Sequence, residues 1–319
     1  MKVLITGATG LVGKAIVKEL HSKGVQINYL TTSREKIAHS EDYQGFYWNP
    51  AKREIDENCF TDVSVIINLA GASISKKWTE SYKKIVLNSR IDSLKTLKIG
   101  LEKVGSEEID SFVSASAIGI YPNSLSTYYT NDVNEVDDSF LGEVVKAWED
   151  EIATFEVFDF KVAKIRIGLV LSTEGGALPK MAQPIKYYVG AAFGSGEQWQ
   201  SWIHIEDLAR MFVFIASNNL SGTYNGVAPN PVTNNKLTME LAKVLGKPLI
   251  LPNVPEFMMK MILGEMAYLL FASQRVSSKG IEEQGFTFKY LNICKSLEAL
   301  YQKGSDEENS ISTYTKEYV

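Results

Sequence analysis

A short apolar run, Val3-Leu4-Ile5, passes directly into Thr6-Gly7-Ala8-Thr9-Gly10-Leu11-Val12-Gly13, after which a helical pattern begins. No other stretch restricts the fold as strongly. The order is strand, glycine turn, helix. Gly7 can take the angles of a tight turn, Gly10 lets a pyrophosphate approach the main chain, and Gly13 lets the helix lie close to the strand. Phosphates would then meet a helix N-terminus, where unpaired N–H groups and the dipole favour negative charge. Three glycines at this spacing are common. In a strand–turn–helix context they predict a dinucleotide-binding α/β unit, the alternative being an ordinary strand–helix turn.

The next elements extend that unit. A helix is predicted over 11–23, with Ile16, Val17 and Leu20 as its apolar stripe, and a strand over 25–30. A carboxylate at the end of this strand would bind the adenosine ribose hydroxyls. The chain instead reads Thr31-Thr32-Ser33-Arg34, with no acid before Glu35. Arg34 suits a 2′-phosphate and Ser33 can donate to it, so NADP(H) is expected over NAD(H). The competing reading is a solvated surface arginine.

Phe46-Tyr47-Trp48 predicts a short strand, with Trp48 as packing, and Val65 to Gly71 a buried parallel strand. Ala70-Gly71 at its end would let a cofactor lie against the backbone. A helix over 80–103 carries Asn88 and Arg90, facing either the cofactor or solvent. A strand over 111–114 leads to Ser116 and Tyr121, where a loop serine either binds substrate or caps a turn. Residues 122–139 read as a mobile polar loop, 142–158 as helix, 162–168 as strand and 187–198 as a flexible glycine-bearing segment. His204 stands just before a helix, either as a structural group or as an acid–base. A helix is expected over 235–245, and a strand-like piece over 286–290.

Composition removes other classes. With 33 basic and 38 acidic residues, the net charge of −5 argues against a basic nucleic-acid surface. Cys59 and Cys294 have no paired spacing, and the three histidines show no metal-ligand pattern, so no metal is expected. The apolar stretch 258–272 is broken by Lys260 and Glu265 and is too short to span a bilayer. No leader precedes the first strand, and a cytoplasmic location is expected.

Taken together the residues resemble the extended and atypical short-chain dehydrogenase/reductase superfamily. Within it they are similar to the epimerase family proteins, NAD-dependent epimerase/dehydratase-like chains ending in a C-terminal domain of unknown function. The supporting stretches include the glycine turn, Asn68-Leu69-Ala70-Gly71-Ala72, Asn88-Ser89-Arg90, Ser114-Ala115-Ser116-Ala117, Trp148-Glu149, Arg166-Ile167-Gly168, Ser201-Trp202-Ile203-His204 and Ser273-Gln274-Arg275-Val276. The resemblance implies an α/β fold with a Rossmann-type doubly wound parallel sheet and a smaller C-terminal substrate lobe. The expected division is an NADP-binding domain over 1–247, a small domain over 248–301 and a polar tail over 302–319.

The implied activity is that of a nucleoside-diphosphate-sugar epimerase or oxidoreductase acting on a small-molecule substrate. The expected cofactor contacts are Gly7, Thr9, Gly10, Leu11, Val12, Gly13, Ser33, Arg34, Leu69, Ala70, Gly71 and Arg90. Related enzymes transfer protons with a Tyr-x-x-x-Lys pair. Aligned on Glu149, those positions hold Leu141 and Val145, neither of which titrates. Lys146, one residue on, would point about 100° away. Ser116, Tyr121 and His204 are left as catalytic candidates. The missing pair also raises a second reading, a non-catalytic NADP(H)-binding sensor or scaffold.

Overall fold

The computed structural model describes residues 1–302, so all of the expected polar tail except Gln302 lies outside the described residues. In the first half of the chain the strands are β1 (Lys2–Thr6), β2 (Gln26–Thr31), β3 (Tyr43–Asn49), β4 (Glu54–Ile55), β5 (Val65–Asn68), β6 (Ser111–Ala117) and β7 (Tyr128–Tyr129). They are followed by β8 (Lys161–Ile167), β9 (Leu169–Leu171), β10 (Trp199–Gln200), β11 (Trp202–His204), β12 (Gly222–Gly226), β13 (Val232–Thr233) and β14 (Arg275–Val276). Eight of them form one sheet in the order β12-β8-β6-β5-β1-β2-β3-β4. Every pairing in it is parallel except β3 with β4.

The central strands are continuous apolar runs because both faces of the sheet are covered. Val3, Leu4, Ile5, Ile66, Ile67, Phe112 and Val113 are fully buried. From β1 the chain moves outward to β2 and β3, then returns to β5 on the other side of β1. Right-handed crossovers in opposite directions place helices on opposite faces. Accordingly α1 (Leu11–His21) is covered by α5 (Ile205–Ser217), and α2 (Glu80–Val104) by α3 (Phe140–Ala153). The reversal between β1 and β5 opens a crevice at the C-terminal strand ends, which is where ligands sit in such sheets.

The remaining helices are α4 (Leu178–Lys186), α6 (Asn234–Val244), α7 (Glu256–Leu263), α8 (Tyr268–Phe271) and α9 (Lys279–Glu282), with further helix over 293–302. Leu178 of α4, Leu237 and Leu241 of α6 and Leu297 form a second buried cluster with Leu171 and Trp202, whereas Ile281 of α9 belongs to the main core. Among the described residues no helix is long and apolar enough to cross a membrane, and no group of acidic, histidine or cysteine side chains is placed to hold a metal.

One expected strand is absent. Residues 286–290 do not pair with any strand. The Phe286 amide turns back to Ile281 O at 3.3 Å, and the last two amides are taken by a side chain. The fully buried Asp207 carboxylate accepts from Lys289 N at 2.9 Å and Tyr290 N at 2.8 Å, while Arg210 donates to Thr287 O. The expected helix over 142–158 is also shorter, ending at Ala153 and continuing as a 3-10 turn over Thr154–Val157.

Candidate functional site

The glycine turn is held from below by a hydrogen-bonded ladder across three strands. Thr6 Oγ1 donates to Asn68 Oδ1 at 2.7 Å and accepts from the amides of Leu69 and Ala70 at 3.0 and 3.1 Å. Asn68 Nδ2 donates to Ser114 Oγ at 3.0 Å. The ends of β1, β5 and β6 are thereby fixed against one another, and the segment after β5 is set beside Gly7.

Gly7 has φ +73°, where a side chain is strained, and a Cβ on it would lie 3.2 Å from the Leu69 backbone. A Cβ on Gly13 would lie 2.2 Å from Gly7 O, so the helix could not approach the turn. Gly10 caps α1 without a side-chain hydrogen bond, and the first turn holds no acid. The first intrahelical bond is Lys14 N to Gly10 O, which leaves the Leu11, Val12 and Gly13 amides ahead of the ladder. These groups fit the diphosphate of a dinucleotide: donors without a competing carboxylate, and a turn that a Cβ would fill.

A groove of about 660 Å³ runs from this turn along the C-terminal strand ends. Of the residues named as cofactor contacts, Gly7, Thr9, Ser33, Ala70 and Gly71 line it. Gly10 is exposed, Leu11 and Val12 are half-buried at the start of α1, Gly13 is buried and Leu69 is half-buried. None of these, nor Arg34 or Arg90, lines the groove itself.

Arg34 is exposed, with its guanidinium 4.0 Å above the Tyr47 ring. The cation lining the groove at this end is Lys36, on the same 3-10 turn. Sequence reading passed over Lys36. Its spacing of three from Ser33, one turn of a 3-10 helix, was the available signal. Trp48, expected only to pack, is 3% exposed and also lines the groove, followed by Asn49 and Pro50.

Outside the groove, the turn after β6 packs on apolar side chains of α3. A Cβ on Gly119 would lie 3.4 Å from Leu141 Cβ and 3.9 Å from Val145 Cγ2, so α3 turns those two side chains toward the 118–120 turn. Lys146 points away, exposed and paired with Asp150 at 2.6 Å.

Ser116 and Tyr121 are brought into one buried network. Ser116, 2% exposed, donates to Glu149 Oε1 at 2.6 Å. Arg166 donates to both Glu149 oxygens, at 2.8 and 2.9 Å, and Lys164 lies 3.0 Å away. Burial alone would raise the Glu149 carboxyl, but the hydrogen bonds and charge of Arg166, with Lys164, hold it below the usual carboxylate range. Arg166 Nη1 also donates to Tyr121 OH at 2.9 Å, and Tyr121 donates to Asn225 Oδ1 at 2.7 Å. Tyr121 is fully buried, and that burial pushes its hydroxyl up despite Arg166.

His204 is placed by another contact set. Its Nδ1 accepts from Glu206 N at 3.1 Å at the start of α5, and its ring stacks on Tyr290 at 3.7 Å. The signal for Glu149 and Arg166 was present only as part of the resemblance. Their partners stand on different elements, so spacing could not reveal them.

Comparison with known proteins gives the same architecture a context. The pattern of the NAD dependent epimerase/dehydratase family matches residues 3–140, and that of a domain of unknown function, DUF1731, matches 254–300. An epimerase family protein of Staphylococcus haemolyticus is 38% identical over 298 residues, 93% of this chain and 98% of its own length. One from Staphylococcus aureus is 38% identical over 301 residues, 94% of this chain and 99% of its own. Among solved structures, a human epimerase family protein with NADPH aligns at TM-score 0.81 and 24% identity, over 95% of this chain and 99% of that one. A nucleoside-diphosphate sugar epimerase from Corynebacterium glutamicum aligns at TM-score 0.74 and 29% identity, over 93% of this chain and 57% of that one.

Proposed function

The chain belongs to the epimerase family proteins of the NAD-dependent epimerase/dehydratase type, and from that premise we propose that it binds NADP(H) and acts as an oxidoreductase or epimerase on a small molecule of the nucleotide-sugar class. The carrying observation is the glycine turn at the β1–β5 reversal, with unpaired amides at the start of α1 and a groove leading away from them. When bound, a nicotinamide cofactor supplies reversible hydride transfer. In this reading the Leu11, Val12 and Gly13 amides hold the diphosphate. Ser33 and Lys36, with Arg34 beside them, take the 2′-phosphate, and Trp48 with Pro50 walls the adenosine end. The relative solved with NADPH is consistent with that preference.

In this reading Leu141 and Val145, which stand where related enzymes carry their proton-transfer pair, offer no proton. Any proton transfer falls to Ser116, through its hydrogen bond to Glu149, to Tyr121 or to His204. The test is a panel of nucleotide sugars and carbonyl compounds incubated with purified protein and NADPH. Oxidation of NADPH or interconversion of sugar epimers is expected with at least one compound. Cofactor binding with no turnover across the panel would contradict the enzymatic part.

A second reading, a non-catalytic NADP(H) sensor or scaffold, is favoured by one observation: the serine and tyrosine candidates are both spent on a buried ion network. It expects a change of shape or of bound partner with NADPH and no chemistry. Identical scattering profiles and identical captured partners with and without NADPH would remove it.

A further inference from the structure

α7 is apolar on the side it shows to solvent. At about 100° per residue, Phe257, Met261, Met258 and Ile262 fall within one arc of about 140°. These four side chains are between 44% and 81% exposed, and α7 holds no buried residue. Half-buried Met259 and Leu263 stand on the opposite side, and Glu256 pairs with Lys260 at 2.8 Å along one edge. A surface helix ordinarily turns its polar side outward. This one is apolar on both sides, and nothing among the described residues covers the outer one.

The apolar surface continues beyond α7. Val254 N donates to Ala192 O at 2.8 Å and Gly194 N to Val254 O at 2.9 Å, so the chain entering α7 runs beside the chain leaving α4. Lys247 Nζ donates to Tyr188 OH at 2.7 Å across the same pair of segments. Ile250 and Leu251 are exposed on one segment, and Tyr187, Tyr188 and Val189 on the other. Tyr188 sits at φ +63°, a left-handed conformation that bulky residues rarely adopt. Glycine is the ordinary residue where a helix ends this way. Here an exposed tyrosine occupies the position. Connected apolar surface on this scale marks a place where something binds.

Charge identifies what binds. Residues 178–196 and 236–263 contain six lysines and two glutamates, in a chain whose net charge is −5. Both glutamates are already paired, Glu240 with Lys236 at 2.6 Å and Glu256 with Lys260. Lys180, Lys186 and Lys243 are exposed and form no ion pair among the described residues. The bordering acids are Glu197, which is exposed, and Glu265, which is paired with Lys83. A second copy docking through the same face would bring its own lysines toward these. An anionic lipid surface suits both parts of the face. Its acyl boundary takes the apolar side chains of α7, its headgroup layer takes the tyrosines, and its phosphates take the lysine ammonium groups.

We infer that the face formed by α7 and the turn after α4 rests on an anionic lipid surface, with α7 lying in the headgroup plane and not crossing it. The inference does not depend on the dinucleotide.

The test is co-sedimentation of the whole chain with two kinds of vesicle, phosphatidylcholine alone and phosphatidylcholine with about 30% phosphatidylglycerol. Wild type is compared with Phe257→Ser/Met261→Ser and with Lys180→Glu/Lys186→Glu. Both double variants change only exposed side chains, and thermal unfolding checks that they fold. Sedimentation velocity without vesicles gives the oligomeric state. Wild type is expected to pellet with the anionic vesicles and not with the neutral ones, less so as salt rises from about 0.05 to 0.3 M. Each double variant should weaken that binding by about tenfold or more. A chain of net charge −5 has no general attraction for anionic vesicles, so pelleting reports a local face. No pelleting with anionic vesicles at low salt, or pelleting that either double variant leaves unchanged, would overturn the inference. A wild-type dimer that Phe257→Ser/Met261→Ser converts to monomer, without vesicle binding, would overturn it in favour of a second copy.

Discussion

Ser116 gives its hydroxyl hydrogen to Glu149 across 2.6 Å, joining the end of β6 to the inner face of α3. Arg166 and Lys164 complete the shell of the carboxylate. A buried carboxylate held this way is costly to neutralise, because its two cations stay behind. Glu149→Gln is expected to lower stability by about 3 kcal/mol, measured by urea unfolding. The same residue sets an acid sensitivity. Its folded carboxyl titrates below the ordinary value of 4.5, so the stability it contributes is complete above that value and is lost as pH falls through the folded one. As pH falls below 4.5, wild type should lose more stability than Glu149→Gln. Parallel losses would contradict the assignment.

Thr6 serves as donor to Asn68 and acceptor for two amides with one hydroxyl. Valine has the same shape and none of these bonds. Thr6→Val should cost about 1–3 kcal/mol in thermal or urea unfolding, since buried partners are left unpaired. It should also weaken NADPH, because the segment at Leu69 and Ala70 loses its anchor. Unchanged stability would show that the strand ends are held by backbone bonds alone.

Asp207 fastens residues 289 and 290 to the start of α5. Asp207→Asn retains one acceptor oxygen and loses the charge that also holds Arg210 at 2.6 Å. A loss of about 2 kcal/mol is expected, with faster proteolysis after residue 285 than in wild type. Proteolysis at the wild-type rate would mean that Tyr290 stacking on His204 is sufficient.

Lys36 lines the groove and Arg34 stands beside it over Tyr47. Lys36→Ala and Arg34→Ala should each weaken NADPH far more than NADH, by about 1.5–3 kcal/mol for a lost charge-assisted contact. Calorimetric titration of both dinucleotides checks this. Equal losses would remove the 2′-phosphate assignment.

The sheet was legible because its signals are local. The run Val3-Leu4-Ile5 is buried on both faces, and Gly7, Gly10 and Gly13 each serve a different contact within one turn. Val65 to Gly71 was readable for the same reason. Residues 286–290 were not, since their alternating aromatics imitate a strand and the group that takes their amides lies 82 residues away for Lys289 N and 83 for Tyr290 N. Ser116 and Tyr121 could be picked out as polar groups near a strand end. Their engagement by Glu149, Arg166 and Asn225 depends on α3, β8 and β12 meeting in space. The apolar pair Leu141 and Val145 was reached only through the family resemblance, by alignment on Glu149, and helical geometry turned Lys146 away from it.

The account turns on a dinucleotide seated at the glycine turn, and titration of NADPH into wild type and Gly10→Ala tests it most directly. Gly10 is exposed at φ −79°, which alanine adopts freely, and its Cβ would meet one atom, Gly7 O at 3.2 Å, a tight contact that the turn must relieve by a few tenths of an ångström. The variant should fold with a modest loss of thermal stability. The added methyl group would stand where a diphosphate meets the first amides of α1. Saturable NADPH binding by wild type is expected, with affinity reduced about tenfold or more in Gly10→Ala at a temperature where both proteins are fully folded. No saturable binding by wild type, or equal affinity in a folded Gly10→Ala, would contradict it.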